Sequence, residues 1–151
     1  MNKSNQKKSI DNEGLTVNIM NMLGLREEPI DAHYQIVQGL DPKVIRQLAD
    51  VLGVKKSYLC NMVGISSTEI RLSRNKCSHL SHAQSVKIYM FAKVIANGMA
   101  LFDGESHLLL NWLEQPARAL AGHKPQELLS TDVGAQAIIE FIGQLKYGVY
   151  V

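Results

Sequence analysis

Cysteine is almost absent from this chain. Cys60 and Cys77 are its two cysteines among 151 residues, too few for a disulfide framework, and they point to a reducing, cytoplasmic compartment. Proline is sparse at four, and charged residues make up only 20% against 46% hydrophobic, which excludes a disordered chain and suits a globular one with one core or two small ones. Long apolar runs are missing: stretches such as Tyr89 to Ala92 and Leu108 to Leu110 fall far short of the roughly 20 residues a membrane-spanning helix needs. The opening MNKSNQKKSIDNEG is basic but no apolar stretch follows it, so it does not read as a secretory signal. No segment of useful length alternates with a period of two, and no repeat recurs at roughly 20 to 50 residues.

Catalytic patterns are missing too. There is no glycine-rich phosphate loop, no Ser-His-Asp order and no paired-acid motif, so an enzyme is not expected. Cys77, His79 and His82 lie close together with Cys60 upstream, but a second ligand pair at zinc spacing is lacking, and no metal or cofactor is expected. His107 and His123 stand alone and read as exposed or capping residues.

What is present has the helical period. Asp41-Pro42 opens a helix through Leu52 with an apolar face of Val44, Ile45, Leu48, Ala49, Val51 and Leu52, and Gly53 stops it. A longer helix starts near Ser81 and runs to about Phe102, Asp103-Gly104 is a turn, and Glu105 to Glu114 is a short helix ending before Pro116. Leu15 to Leu23 and Pro29 to Gly39 read as short helices behind a disordered tail of about a dozen residues. The fold class is therefore all-α. Three segments are expected: 1–40, a tail and short helices; 41–103, a helix-turn-helix module; and 104–151, a C-terminal domain. The segment from Leu15 to Leu40 has apolar surface and no clear place in either module, which makes it a candidate for self-association and the chain a homo-oligomer.

The net charge of +2 conceals a partition. Residues 55–93 hold seven Lys/Arg against Glu69 alone, while 1–54 hold six against seven acids and 94–151 hold three against six. A basic middle flanked by acidic ends is the electrostatic footprint of phosphate-backbone binding. Inside it lies KKSYLCNMVGISSTEIRLSRN, residues 55–75. Tyr58, Leu59, Met62 and Val63 give a first helix an apolar face, Gly64 can take the left-handed conformation that ends it, and Ile65 plugs the angle between two helices. Cys60 is small enough to let them approach. Ser66 with Glu69 three residues on is a capping box for the second helix, which carries Ile70 inward. Leu72 comes one residue before Ser73, where many such motifs place a third apolar residue. The second helix then presents Ser67, Thr68, Arg71, Arg74, Asn75 and Lys76, groups able to reach bases or phosphates of promoter DNA.

The last forty residues carry the most specific pattern. In NWLEQPARALAGHKPQELLSTDVGAQAIIEFIGQLKYGVYV, Trp112-Leu113 is followed by Pro116, Ala119-Leu120-Ala121-Gly122, Pro125 with Leu128-Leu129, and Thr131-Asp132-Val133-Gly134. Thr131 or Asp132 can cap a helix on which Val133, Ala137, Ile138, Phe141, Ile142 and Leu145 form one apolar stripe. Pro125 can sit in the first turn of a short helix, with Glu114, Glu127 and Glu140 on wet faces. The segment finishes Lys146, Tyr147, Gly148, Val149, Tyr150 and Val151, an aromatic tail with a flexible glycine and a carboxylate, shaped to be buried in a partner.

This order of anchors resembles the C-terminal domain of the MbcA/ParS/Xre antitoxin family, specifically the Xre antitoxins paired with RES-domain toxins. Ala117 and Ala121 stand where that family usually carries Asn and the first Gly of a pair. The resemblance implies a divergent Cro/Xre-like helix-turn-helix that represses its own promoter, joined to a helical domain that neutralises a RES-domain toxin. It also implies that the toxin consumes NAD, that residues 146–151 fill or cover its active-site entrance, and that the antitoxin itself binds no cofactor. A stand-alone transcriptional regulator whose C-terminal domain dimerises is the competing reading. A pure interaction protein with an inactive helix-turn-helix is a third.

Overall fold

The computed structural model describes residue 14 and residues 18–66, 68–71 and 79–148. Every regular element among them is helical. After a short helix at 18–22 come α1 (Pro29–Gln38), α2 (Lys43–Leu52), α3 (Lys56–Val63), a helical turn at 68–71, α4 (His82–Leu101) and α5 (Ser106–Leu113). Two 3₁₀ turns, Arg118–Leu120 and Pro125–Leu128, then lead to α6 (Asp132–Lys146). The all-α class is as the sequence predicts.

Helix α4 is the axis on which the others pack. It starts at a full capping box: Ser81 Oγ accepts from the Gln84 amide at 3.2 Å, and Gln84 Oε1 accepts from the Ser81 amide at 3.0 Å. Beyond that turn it is apolar on nearly every side, with Ile88, Phe91, Ala92, Val94 and Ile95 all sealed from solvent. A helix apolar all round must be central. Helix α6 covers it most extensively, with α1, α2, α3 and α5 on its remaining sides. One continuous core runs from Ile19 to Ile142. Among the described residues no single helix is long and apolar enough to cross a membrane.

Two side chains on α4 tie loops to this axis. Ser85 is fully buried, and its Oγ accepts from the Leu40 amide at 3.0 Å and donates to the Leu80 carbonyl at 3.5 Å, so the hydroxyl is satisfied in both roles. Tyr89 donates its hydroxyl to the Arg26 carbonyl at 2.6 Å. Burial, and secondarily the Glu27 carboxylate, push its phenol pKa above the usual value, which keeps the donor protonated.

The structure corrects the expected stripe on α6. Ala135, Ile138 and Ile142 are buried, but Val133 is 76% exposed and Leu145 37%. At about 100° per residue, Val133 lies roughly 140° around the helix from Ile138, so it belongs to another face. Leu145 is in register with Ile138 but sits in the last turn. Phe141 is half-buried, with its ring stacked on Trp112 at 5.6 Å. The segment ending at Leu40 also has a firmer place than its sequence suggests: Ile19, Met20, Leu23, Leu25, Ala32 and Leu40 are all in the core. What it leaves outside is Met22, Ile30, Tyr34 and Val37.

Candidate functional site

The basic unit is built as its residues require. Gly64 ends α3 with φ 72 and ψ 35, and its amide points back to the Asn61 and Cys60 carbonyls, a left-handed cap that glycine adopts without strain. Leu59, Cys60, Val63, Ile65 and Ile70 are buried together. Burial raises the Cys60 thiol pKa, opposed in part by the Lys56 charge, so the group packs as a small protonated hydrophobe. Tyr58 departs from the expected inner face: it is 41% exposed, because on so short a helix the Leu59-Val63 side takes the core. Thr68 and Arg71, one turn apart on the second helix, are both exposed and share a face. The other expected DNA-contacting residues, Ser67, Arg74, Asn75 and Lys76, lie outside the described residues.

The turn of this unit is keyed to the rest of the molecule, which the sequence alone does not disclose. Lys87 of α4 donates from Nζ to the Gly64 carbonyl at 3.1 Å. A Cβ placed on Gly64 would lie 3.3 Å from Ser130 Cβ, so the corner that follows α3 abuts the loop that leads into α6. One cation of the basic third is thus structural.

In the C-terminal part, the rare anchors prove to be packing residues. Leu113 and Leu129 are sealed, Leu120 nearly so, and Pro125 is buried at the start of its 3₁₀ turn. Trp112 lies between Phe102 and Phe141, with centroids at 6.2 and 5.6 Å, joining the end of α4 to α5 and α6. Thr131 caps α6 by accepting from the Gly134 amide at 3.0 Å. Glu114, Glu127 and Glu140 are exposed as expected. His107 and His123 are exposed and sit 3.4 and 3.3 Å from Glu105 and Glu127.

Between Ala117 and His123 the chain folds back on itself. The Ala117 amide donates to the His123 carbonyl at 3.1 Å, and the Gly122 amide to the Ala117 carbonyl at 2.9 Å. Ala121 is held there at φ 55, the left-handed region that costs a residue with a Cβ about 1–2 kcal/mol. Replacement by glycine relieves that strain but adds about 0.4–1 kcal/mol of unfolded-chain entropy. Strain wins narrowly: Ala121→Gly is expected to raise stability by about 0.5–1 kcal/mol in a urea unfolding curve, and a lower midpoint would contradict the assignment.

The tail emerges from α6 at its far end. Lys146 is the last helical residue, its Nζ 5.6 Å from the centroid of the Tyr147 ring. Tyr147 is 70% exposed and Gly148 has φ 69. Val149, Tyr150 and Val151 lie outside the described residues. The two sets of expected contact residues, so far as they are described, stand on different elements: Thr68 and Arg71 follow α3, and Lys146 to Gly148 end α6. Among the described residues no three His, Cys, Asp or Glu side chains converge as a metal site would require.

Residues 97–148 match the family model described as the Antitoxin Xre/MbcA/ParS C-terminal toxin-binding domain. The match begins on α4 at Asn97, takes in α5, both 3₁₀ turns and α6, and closes at Gly148. An Antitoxin Xre from Yersinia enterocolitica serotype O:8 is 26% identical over 115 residues, covering 76% of this chain and 78% of its own length. Another from Photorhabdus laumondii subsp. laumondii is 24% identical over 115 residues, covering 74% and 76%. Both alignments reach well beyond the C-terminal domain into the rest of the chain, and with the matched domain they support an antitoxin of the Xre/MbcA/ParS family.

Proposed function

We propose that this antitoxin neutralises a RES-domain toxin that consumes NAD, and that it represses its own operon through the helix-turn-helix. The observation that carries the first half is the toxin-binding domain match, which runs to Gly148 and so includes the exposed Tyr147. A ring left in water at the end of a well-anchored helix is ready to bury its area in a partner. Tyr147 and Tyr150 suit a pocket made for the rings of NAD, with Lys146, Gly148, Val149 and Val151 as the rest of the inserted segment. The antitoxin's own role is regulatory, and it needs no cofactor.

Support for DNA binding comes from the exposed pair Thr68 and Arg71 above buried Ile70, within a segment of seven cations and one acid. The face expected to read bases is free while the opposite face is locked into the core. Ser67, Arg74, Asn75 and Lys76 complete the proposed contact set. Such units bind as two copies on half-sites one helical turn apart, so the repressing species is a homo-oligomer. On this reading Arg71→Ala weakens binding to the operon's promoter by about 1–3 kcal/mol if its guanidinium reaches a base, whereas Lys76→Ala mainly lowers the salt slope. Toxin neutralisation survives both changes. Gel-shift affinities at matched salt decide it: an Arg71/Arg74 double alanine variant that binds like the parent rules out this helix as the reader.

A further inference from the structure

A groove of about 500 Å³ runs between α1, α4 and the first half of α6. Its floor is apolar: Ile36 from α1, Val86 and Met90 from α4, Val133 and Ala137 from α6. Single exposed apolar side chains are ordinary on any surface, but Val133 stands 76% exposed beside half-buried Ile36, Val86 and Met90.

The charges around it have one sign. Both charged side chains that line it, Asp132 and Glu140, are acidic and stand on its α6 side. Two copies of this chain joined across such a face by a two-fold axis would bring acid toward acid. A partner presenting an apolar side chain flanked by Lys or Arg fits instead. Five of the groove residues, Asp132, Val133, Gln136, Ala137 and Glu140, belong to the matched toxin-binding domain, whereas Ile36, Val86 and Met90 precede it.

The geometry points to this composite groove as a second docking surface for the toxin, one that receives an apolar, basic-flanked segment of it and extends toxin contact beyond the matched domain to α1 and α4. The inference rests on the toxin-binding reading above. Its purpose in binding is distinct from that of the tail: the groove holds the toxin body, and the tail reaches the toxin's active site.

Val133 and Glu140 are exposed, so Val133→Arg and Glu140→Lys alter the surface without touching the core. The experiment titrates the full-length chain with a RES-domain toxin silenced in its active site, and records melting curves and promoter binding in parallel. The V133R/E140K variant is expected to bind the toxin about 100-fold more weakly, with its melt and DNA affinity unchanged. E140K alone is expected to slow association about 10-fold at low salt, and by less at high salt. Affinity within twofold of the parent in both variants overturns the groove while leaving the toxin reading intact. A parent chain that does not bind this toxin overturns both. Intact toxin affinity with a change in the chain's own oligomeric state assigns the face to a second copy and overturns the proposal.

Discussion

Removing Tyr147 to Val151 is expected to abolish protection against the toxin while leaving a folded, DNA-binding chain. The structural cost of the deletion is small because, among the described residues, nothing in the core goes with it. The last buried residue of α6 is Ile142, and Tyr147 is 70% exposed. Among the described residues the truncation loses the bonds from the Tyr147 amide to the Gly143 carbonyl and from the Gly148 amide to the Leu145 carbonyl. Each sits at a solvent-exposed helix end where water substitutes, so their joint contribution is on the order of 1 kcal/mol. For a domain of this size that corresponds to a fall of about 2–4 °C in Tm. The functional cost is of another order, since central aromatic anchors each contribute about 2–4 kcal/mol or more to an interface, and two are removed here. Loss of both lowers toxin affinity by roughly 10³-fold or more. Growth of cells co-expressing the toxin with the truncated antitoxin, read beside thermal melts, tests this. Full rescue by a folded truncation would show that the segment is not what blocks the toxin.

Much of the fold was legible because the stop at Gly53 after α2 and the start at Ser81 before α4 agree with the apolar periods of those helices. Gly53 and Gly64 mark helix ends where the sequence puts them, and both adopt positive φ. Ile65, Ile70 and Cys60 are buried as the helix-turn-helix pattern requires. Val133 was misread because β-branched residues near a helix start fit an apolar stripe by count alone, and only the angle from Ile138 shows that it faces elsewhere. The groove containing it was invisible for a related reason: its floor comes from residues 36, 86, 90, 133 and 137, and no local period links positions so far apart. The same holds for Lys87, an unremarkable cation in sequence that satisfies the Gly64 carbonyl across 23 positions. Ala121 was noticed as a departure from the family pattern, and the structure gives that departure a physical meaning in its φ of 55.

Two glycines on α6 are expected to respond oppositely to the same substitution. Gly134 follows the Thr131 cap, and a Cβ built there would collide with the Leu128 carbonyl oxygen and lie 2.9 Å from both the carbonyl carbon of Leu128 and Thr131 Oγ1. The obstacle is backbone rather than the tip of a flexible side chain, so relief demands that the 3₁₀ turn Pro125–Leu128 move away from α6 or that the helix lose its first turn. Either route disturbs Leu129, which is buried, and the bond from the Gly134 amide to Thr131. Overpacking of this kind costs about 1–3 kcal/mol, and loss of the cap adds about 1 kcal/mol. The gain in helix propensity from alanine, about 1 kcal/mol, offsets only part of that. Gly134→Ala should therefore destabilise the chain by about 1–3 kcal/mol and lower Tm by roughly 2–12 °C. Gly143 lies nine residues further along the same helix, and no atom beyond the helix's own backbone lies within 4 Å of its hypothetical Cβ. There the propensity term acts alone, and Gly143→Ala should stabilise by about 0.5–1 kcal/mol. Denaturant unfolding of the two variants beside the parent separates the effects. Equal stabilisation by both would mean that the Leu128 carbonyl does not rest on Gly134, and that the glycine after Thr131-Asp132-Val133 serves something other than this close approach.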